Sequence, residues 1–261
     1  MASLSDLFSD IFARQNNLLT RVDPRTKLVA AVGILVSVLF STNMAYPLAL
    51  LAICVGTTAA VGVPLRLIAL RLTAPMGIAL VLVVLKAFLT GSTPLWSINL
   101  AGWPIAATRE GLRDGLLIAT RMLGAMSVVF LLSSVTPAHG IFRAMRALGA
   151  PQGWVEIALL MYRYIFVLLD LTADVTSAQR VRLGYAGLRR GLHSAGLVGG
   201  TVILRSMDQA VQTNQAMKVR CYRGDIPLGP MPPFRWRDVG ILCAIALLAG
   251  AAFFAAGRLL P

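Results

Sequence analysis

LVAAVGILVSVLFSTNMAYPLALLAICVGTTAAVGVP, from Leu28 to Pro64, contains no charged residue. Such a run accommodates two membrane crossings if the chain turns at the polar, proline-containing stretch Ser41-Thr42-Asn43-Met44-Ala45-Tyr46-Pro47. Each arm then holds roughly 17 to 19 residues, near the lower limit for a hydrocarbon core about 30 Å thick. The stretch predicts a tight helical hairpin. Helices are expected because a lone strand in lipid would leave its backbone groups unpaired.

Working outward, a third span is expected at about Leu72 to Leu89, a fourth at about Gly111 to Val135, and a last one from Val239 to Gly257. The composition agrees: 57% of the 261 residues are hydrophobic and 13% charged. With a mean hydropathy of +0.75, a soluble globule would have nowhere to put its apolar surface, so the lipid bilayer is part of the solvent. A net charge of +13 could suggest nucleic acid, but base-stacking aromatics are few and the apolar runs do not suit a soluble basic domain. No nucleic-acid partner is expected.

The positive charge reads instead as topology. Arg14, Arg21, Arg25 and Lys27 precede the first span, Arg66 and Arg71 lie between the second and third, and Arg143 and Arg146 follow the fourth. Those connections are expected on the cytoplasmic side. The connections Thr42 to Tyr46 and Thr90 to Thr108 carry no Lys or Arg and are expected outside, the second with Trp96 and Trp103 as interfacial anchors. The first residues, MASLSDLFSDIFARQNN, place Asp6 and Asp10 where a secretory signal would be positive, so a retained N-terminus is expected. Cys54, Cys221 and Cys243 are far apart, with no C-x-x-C pair and no adjacent His, so neither a disulfide framework nor a zinc site is indicated.

Three segments follow: residues 1–136 with the N-terminal stretch and four spans, 137–237 as a cytoplasmic module, and 238–261 with the last span. The fold class is thus an all-α integral membrane protein with about five transmembrane helices, plus a module of two long helices and a short amphipathic one. The short element is Ile141 to Leu148, stopped by Gly149 and Pro151. The long ones are expected from about Gly153 to Tyr185, opening with the apolar WVEIALLMYRYIFVLL, and from about Leu192 to Arg220, ended by Gly224 and Pro227.

The two long helices end alike. Ala178-Gln179-Arg180-Val181-Arg182 and Ala216-Met217-Lys218-Val219-Arg220 both match Ala-x-(Arg/Lys)-Val-Arg. Cations near a helix C-terminus are stabilised by the macrodipole by about 0.3 to 1 kcal/mol, which is one reading of Arg182 and Arg220. The other is docking, since a guanidinium presents a planar fork of donors to carboxylates or carbonyls in a partner's groove. Gly196, Gly199 and Gly200 include the spacing G-x-x-x-G, which lets helix backbones approach closely. A crossing of the two long helices is expected there.

Other chemistry is thinly represented. Lys27, Lys86 and Lys218 follow Thr26, Leu85 and Met217, so the chain contains no Gly-Lys-Ser/Thr phosphate loop and is not itself a P-loop ATPase. The histidines are His139 and His193, with no H-E-x-x-H, and Asp170 and Asp174, four apart, read as a solvated helix edge. Arg121 lies about halfway along the fourth span, where a charge costs about 2.5 to 3.5 kcal/mol on insertion scales. It should face other helices and bond backbone carbonyls or a partner.

Asp23-Pro24-Arg25-Thr26-Lys27, Arg109-Glu110-Gly111-Leu112, Met161-Tyr162-Arg163-Tyr164 and Ala216-Met217-Lys218-Val219-Arg220-Cys221-Tyr222-Arg223-Gly224 together resemble the T component of energy-coupling-factor transporters. The closest likeness is to the cobalt/nickel branch, the CbiQ type, and it covers nearly the whole chain. The resemblance implies two long crossing helices ending in Ala-Arg-Gly-type signatures that insert into grooves of two ABC-type ATPase subunits. By position these correspond to Val181-Arg182-Leu183 and Val219-Arg220-Cys221, which keep the arginine and replace the small residues. It also implies a separate substrate-binding (S) membrane subunit and a multi-pass location in the bacterial inner membrane. ATP and the metal ion would be held by the partner subunits, and this chain would bind no cofactor or metal and catalyse nothing. The alternatives are a secondary transporter working alone and an intramembrane enzyme using Asp170, Asp174 and His139.

Overall fold

Asp23 and Pro24 open the first helix by a simple device. The Asp23 carboxylate accepts from the Arg25 N–H at 2.9 Å, and Pro24 takes the first helical position, where a missing N–H costs nothing. The computed structural model describes residues 22–89, 94–100 and 103–224, together with Gly240 and Gly250. The span expected at Val239 to Gly257 otherwise lies outside the described residues, as does the N-terminal stretch. Among the described residues are seven helices and one two-stranded hairpin. They divide into two compact units, one running to Ile141 and one from Phe142.

In the first unit, α1 (Pro24–Phe40) and α2 (Ala45–Ala60) form the expected hairpin. The turn is held by Ser41, whose hydroxyl donates to the Asn43 carbonyl at 3.0 Å, and the arms are tied by the hydroxyls of Ser37 and Tyr46 at 2.6 Å. Helix α3 (Leu65–Leu89) starts earlier than Leu72. Arg66 and Arg71, read as a connection, are helical, and the Arg71 guanidinium lies 5.1 Å from the centroid of the Phe130 ring. That cation–π contact gives an arginine on an apolar helix a partner.

The connection from α3 leads into β1 (Pro94–Leu100) and β2 (Trp103–Thr108). They pair antiparallel from Leu100↔Trp103 to Pro94↔Thr108, with an irregularity between Pro94 and Trp96. The hairpin is an addition in one connection to an architecture that is otherwise helical among the described residues. Two short runs rich in aromatic and β-branched residues flank Ala101-Gly102, a two-residue spacing that favours strand pairing. The elements of membrane length are helices throughout.

Helix α4 (Arg109–Val135) is the centre of this unit and packs against α1, α2 and α3. Small residues make that approach close. A Cβ at Gly115 would stand 3.0 Å from the Val83 Cα, and one at Gly124 would stand 3.0 Å from the Pro47 carbonyl oxygen. Arg121 fulfils its expectation: its Nε donates to the Ser41 carbonyl oxygen at 2.8 Å and its Nη2 donates to the same atom. A cation thus meets the C-terminal carbonyl of α1, where the helix dipole is negative. One buried cluster is Ala31, Cys54 and Val128, with Ile34, Leu50 and Leu131 around it, and a second is Val38 with Tyr46.

Helices α3 and α4 are long and apolar enough to cross a membrane, and only 17% and 28% of their most apolar stretches are buried. Leu70, Met76, Leu80 and Val81 on α3 stand exposed, an apolar surface suited to lipid. Helix α2 is apolar and shorter.

The second unit begins within α5 (Ala138–Ala147) and continues with α6 (Gln152–Val181) and α7 (Leu188–Val219). Gly149, with φ +101°, and Pro151 separate α5 from α6 as expected. Three contacts set how the long helices run. The Ser194 hydroxyl donates to the Gly184 carbonyl at 3.0 Å, the hydroxyls of Tyr164 and Thr213 lie 2.6 Å apart, and Tyr222 Oη donates to Glu156 Oε2 at 2.8 Å. Each step forward on one helix is a step back on the other, so α6 and α7 run antiparallel. The expected close crossing at Gly196, Gly199 and Gly200 is not found, since a Cβ at any of the three would meet nothing within 4 Å. Side-chain hydrogen bonds at Ser194, Thr213 and Tyr222 link these helices, whereas the close backbone approach sits at Gly115 and Gly124.

Candidate functional site

The repeated pentapeptide becomes a repeated conformation. Both long helices end one residue before the arginine, which is the C-cap in each: Arg182 at φ −82°, ψ 13° and Arg220 at φ −85°, ψ 16°. The next residue is left-handed in both, Leu183 at φ 55° and Cys221 at φ 56°. Leu183 N–H donates to the Arg180 carbonyl at 3.0 Å and Gly184 N–H to the Gln179 carbonyl at 2.9 Å. At the other end Cys221 N–H donates to Lys218 and Tyr222 N–H to Met217, both at 3.0 Å. These are two Schellman motifs, which close helix carbonyls that would otherwise lack donors.

Such a motif favours glycine at its left-handed position, where a side chain is strained. Here Leu183 and Cys221 hold it. The strain accompanies an unusual surface: Val181 and Val219 are 86% and 84% exposed, Leu183 is 68% exposed, and Arg182, Arg220, Arg180, Ala178 and Ala216 are exposed. Each tip is an arginine between apolar side chains that stand exposed among the described residues. A guanidinium so placed can enter a groove with its fork of donors while its neighbours cover the groove's apolar rim.

The tips stand at opposite ends of the hairpin. Gly184, two residues past Arg182, is held by Ser194 near the start of α7, while Arg220 caps its far end. At about 1.5 Å per residue, roughly 40 Å of helix lies between Ser194 and Arg220. One antiparallel helix pair therefore carries two like tips at its opposite ends.

Each tip is also braced by the opposite helix through the residue two past its arginine: Gly184 by Ser194 on α7 and Tyr222 by Glu156 on α6. Ser194 and Glu156 are both 3% exposed. These braces and the left-handed residues went unread in the sequence. The polar Glu156 within the apolar opening of α6 was the available signal.

The residues weighed for enzymatic chemistry are not gathered into a site. Asp170 and Asp174 are exposed on α6, and His139 is exposed on α5. Among the described residues no group of three or more His, Cys, Asp or Glu is placed to hold a metal.

Residues 15–230, which include both tips, match the family model CbiQ, described as cobalt transport protein. The chain belongs to the CbiQ family. An uncharacterized protein of Methanocaldococcus jannaschii is 32% identical over 214 residues, covering 82% of this chain and 80% of that protein. The cobalt transport protein CbiQ of Rhodobacter capsulatus is 29% identical over 173 residues, 66% of this chain and 70% of its own length. A putative fused cobalt transport protein CbiMQ of Methanocorpusculum labreanum is 26% identical over 170 residues, 60% of this chain and 28% of that longer protein. Membership in this transport family accords with membrane-length apolar helices, and makes the chain a membrane component of transport.

Proposed function

We propose that this chain is the transmembrane coupling (T) subunit of an energy-coupling-factor importer for cobalt or nickel ions. The observation that carries the reading is the pair of exposed tips, alike in sequence, cap geometry and exposure, set roughly 40 Å apart at opposite ends of one antiparallel helix pair. Each tip docks in a groove of one of two ABC-type ATPase subunits, which bind and hydrolyse ATP. The change in spacing between those subunits moves the helix pair, and the motion passes to the membrane helices and to a separate metal-binding S subunit. In this reading the chain crosses the bacterial inner membrane about five times. Its N-terminus and the unit with the tips lie in the cytoplasm, a reading supported by the Lys and Arg content of the connections.

The test is charge reversal at both tips, Arg182→Glu with Arg220→Glu. ATP-driven uptake should be lost and the ATPase should no longer co-purify in mild detergent. Normal uptake with the ATPase still bound would end the docking model. Reconstitution without any ATPase provides the complementary check, since uptake driven by an ion gradient alone would identify a secondary transporter.

A further inference from the structure

Glu156 lies in the apolar opening of α6 and is 3% exposed. A carboxylate buried in such surroundings must be met by donors, and both its oxygens are. Tyr222 Oη donates to Oε2 at 2.8 Å and Gln152 Nε2 donates to Oε1 at 2.9 Å. The same Gln152 amide accepts from Arg146 Nη2 through its own oxygen at 2.9 Å. The result is a chain of three hydrogen bonds, Tyr222 to Glu156 to Gln152 to Arg146, in which each donor has a defined acceptor.

What the chain connects is more telling than its composition. Tyr222 follows Arg220 by two residues and belongs to the cap of the second tip. Gln152 and Glu156 are in the first turns of α6, and Arg146 is in the last turn of α5. Helix α5 in turn is separated from the membrane-length α4 by Thr136 and Pro137 alone. Along this route the cap of α7 is tied by side chains to the element next in the chain to a membrane helix. The first tip has a different brace, the backbone carbonyl of Gly184 held by Ser194 on α7, which stays within the helix pair.

We infer that Glu156 is a positioning residue that ties the Arg220 tip to α5 through Tyr222, Gln152 and Arg146, so that displacement of this tip is delivered to α5. The inference rests on the docking reading given above. Hydrogen bonds to a buried carboxylate are short and directional, and they resist the sliding that apolar contacts allow. Without the tie, the strained cap at Cys221 can yield while α5 stays in place.

The experiment uses the whole transporter, with its ATPase and S subunits, in proteoliposomes. ATP hydrolysis and metal uptake are measured together for Tyr222→Phe, Glu156→Gln and the double variant. Each single variant should assemble in normal amount and hydrolyse ATP, while metal taken up per ATP falls by about fivefold or more. The double variant should be no worse than the poorer single one, because both act on one chain of bonds. An unchanged ratio in either single variant overturns the inference. So does a loss of assembled complex whose surviving fraction keeps the normal ratio, since that is the behaviour of a merely structural group. Charge reversal at both tips, Arg182→Glu with Arg220→Glu, distinguishes this failure from that of the docking reading. It should release the ATPase, and if it does not, docking is wrong, whereas the tie is judged only on complexes in which the ATPase is bound.

Discussion

Replacing Leu183 and Cys221 by glycine should make this protein more stable. Both residues sit in the left-handed region, at φ 55° and 56°, where a side chain costs about 1 to 2 kcal/mol. Glycine returns about 0.5 to 1 kcal/mol of that through the extra freedom of the unfolded chain, leaving a net gain of about 0.5 to 1 kcal/mol per site. Little burial is lost, because Leu183 is 68% exposed and Cys221 is exposed. The sites lie at opposite ends of α7 and share no partner, so the gains should add to about 1 to 2 kcal/mol. For a chain of this size that raises the thermal midpoint in detergent by about 2 to 8 °C. Amide exchange provides a sharper assay, since Gly184 N–H and Tyr222 N–H close the two caps at 2.9 and 3.0 Å. Their exchange should slow by about two- to fivefold in the corresponding single variants. A double variant that melts no higher, with faster exchange at both amides, would refute the claim that these caps hold strain. In the proposed docking reading, glycine also gives the Ala-Arg-Gly-type order that the resemblance implies after the arginine, so the proposed ATPase docking should survive both changes.

Three further outcomes follow from the packing. Gly124→Ala forces a Cβ against the Pro47 backbone and should lower stability by about 1 to 3 kcal/mol, whereas alanine at Gly196, Gly199 or Gly200, where space is open, should raise it by about 0.5 to 1 kcal/mol each; detergent melts of the four variants read the sign directly. Arg121→Met leaves the Ser41 carbonyl without its donor and should cost about 1 to 3 kcal/mol, seen as a lower midpoint and a smaller folded yield from membranes. Gly184→Ala places a methyl group against the Ser194 hydroxyl and 3.0 Å from the Gln179 carbonyl; it should loosen the first cap, with faster amide exchange at residue 184, and Ser194→Ala should restore part of the protection.

The apolar helices were legible because their cause is local. A run without charge long enough to span lipid, broken by a polar turn containing proline, leaves one solution, and α1 and α2 adopt it. Arg121 could be read the same way, since a charge at that depth has few options besides a backbone carbonyl. The hairpin of β1 and β2 was missed because apolar runs carry a weak strand signal beside a strong membrane one. The close crossing was expected at the wrong glycines, because G-x-x-x-G says only that backbones can approach. Gly111-x-x-x-Gly115 on α4 has the same spacing, and Gly115 lies where a neighbour actually comes near.

By itself the sequence determined the apolar helices α1 to α4, the two long helices and the matched pentapeptides at their ends, because periodicity, caps and charge act over a few residues. Only the tertiary structure decided that both arginines are C-caps followed by left-handed residues, that the tips stand at opposite ends of an antiparallel pair, and that Glu156 reaches Tyr222 across 66 positions of chain. Those features depend on which helix packs beside which. That choice is made by the summed burial and hydrogen bonding of residues distant in sequence, which no local window contains.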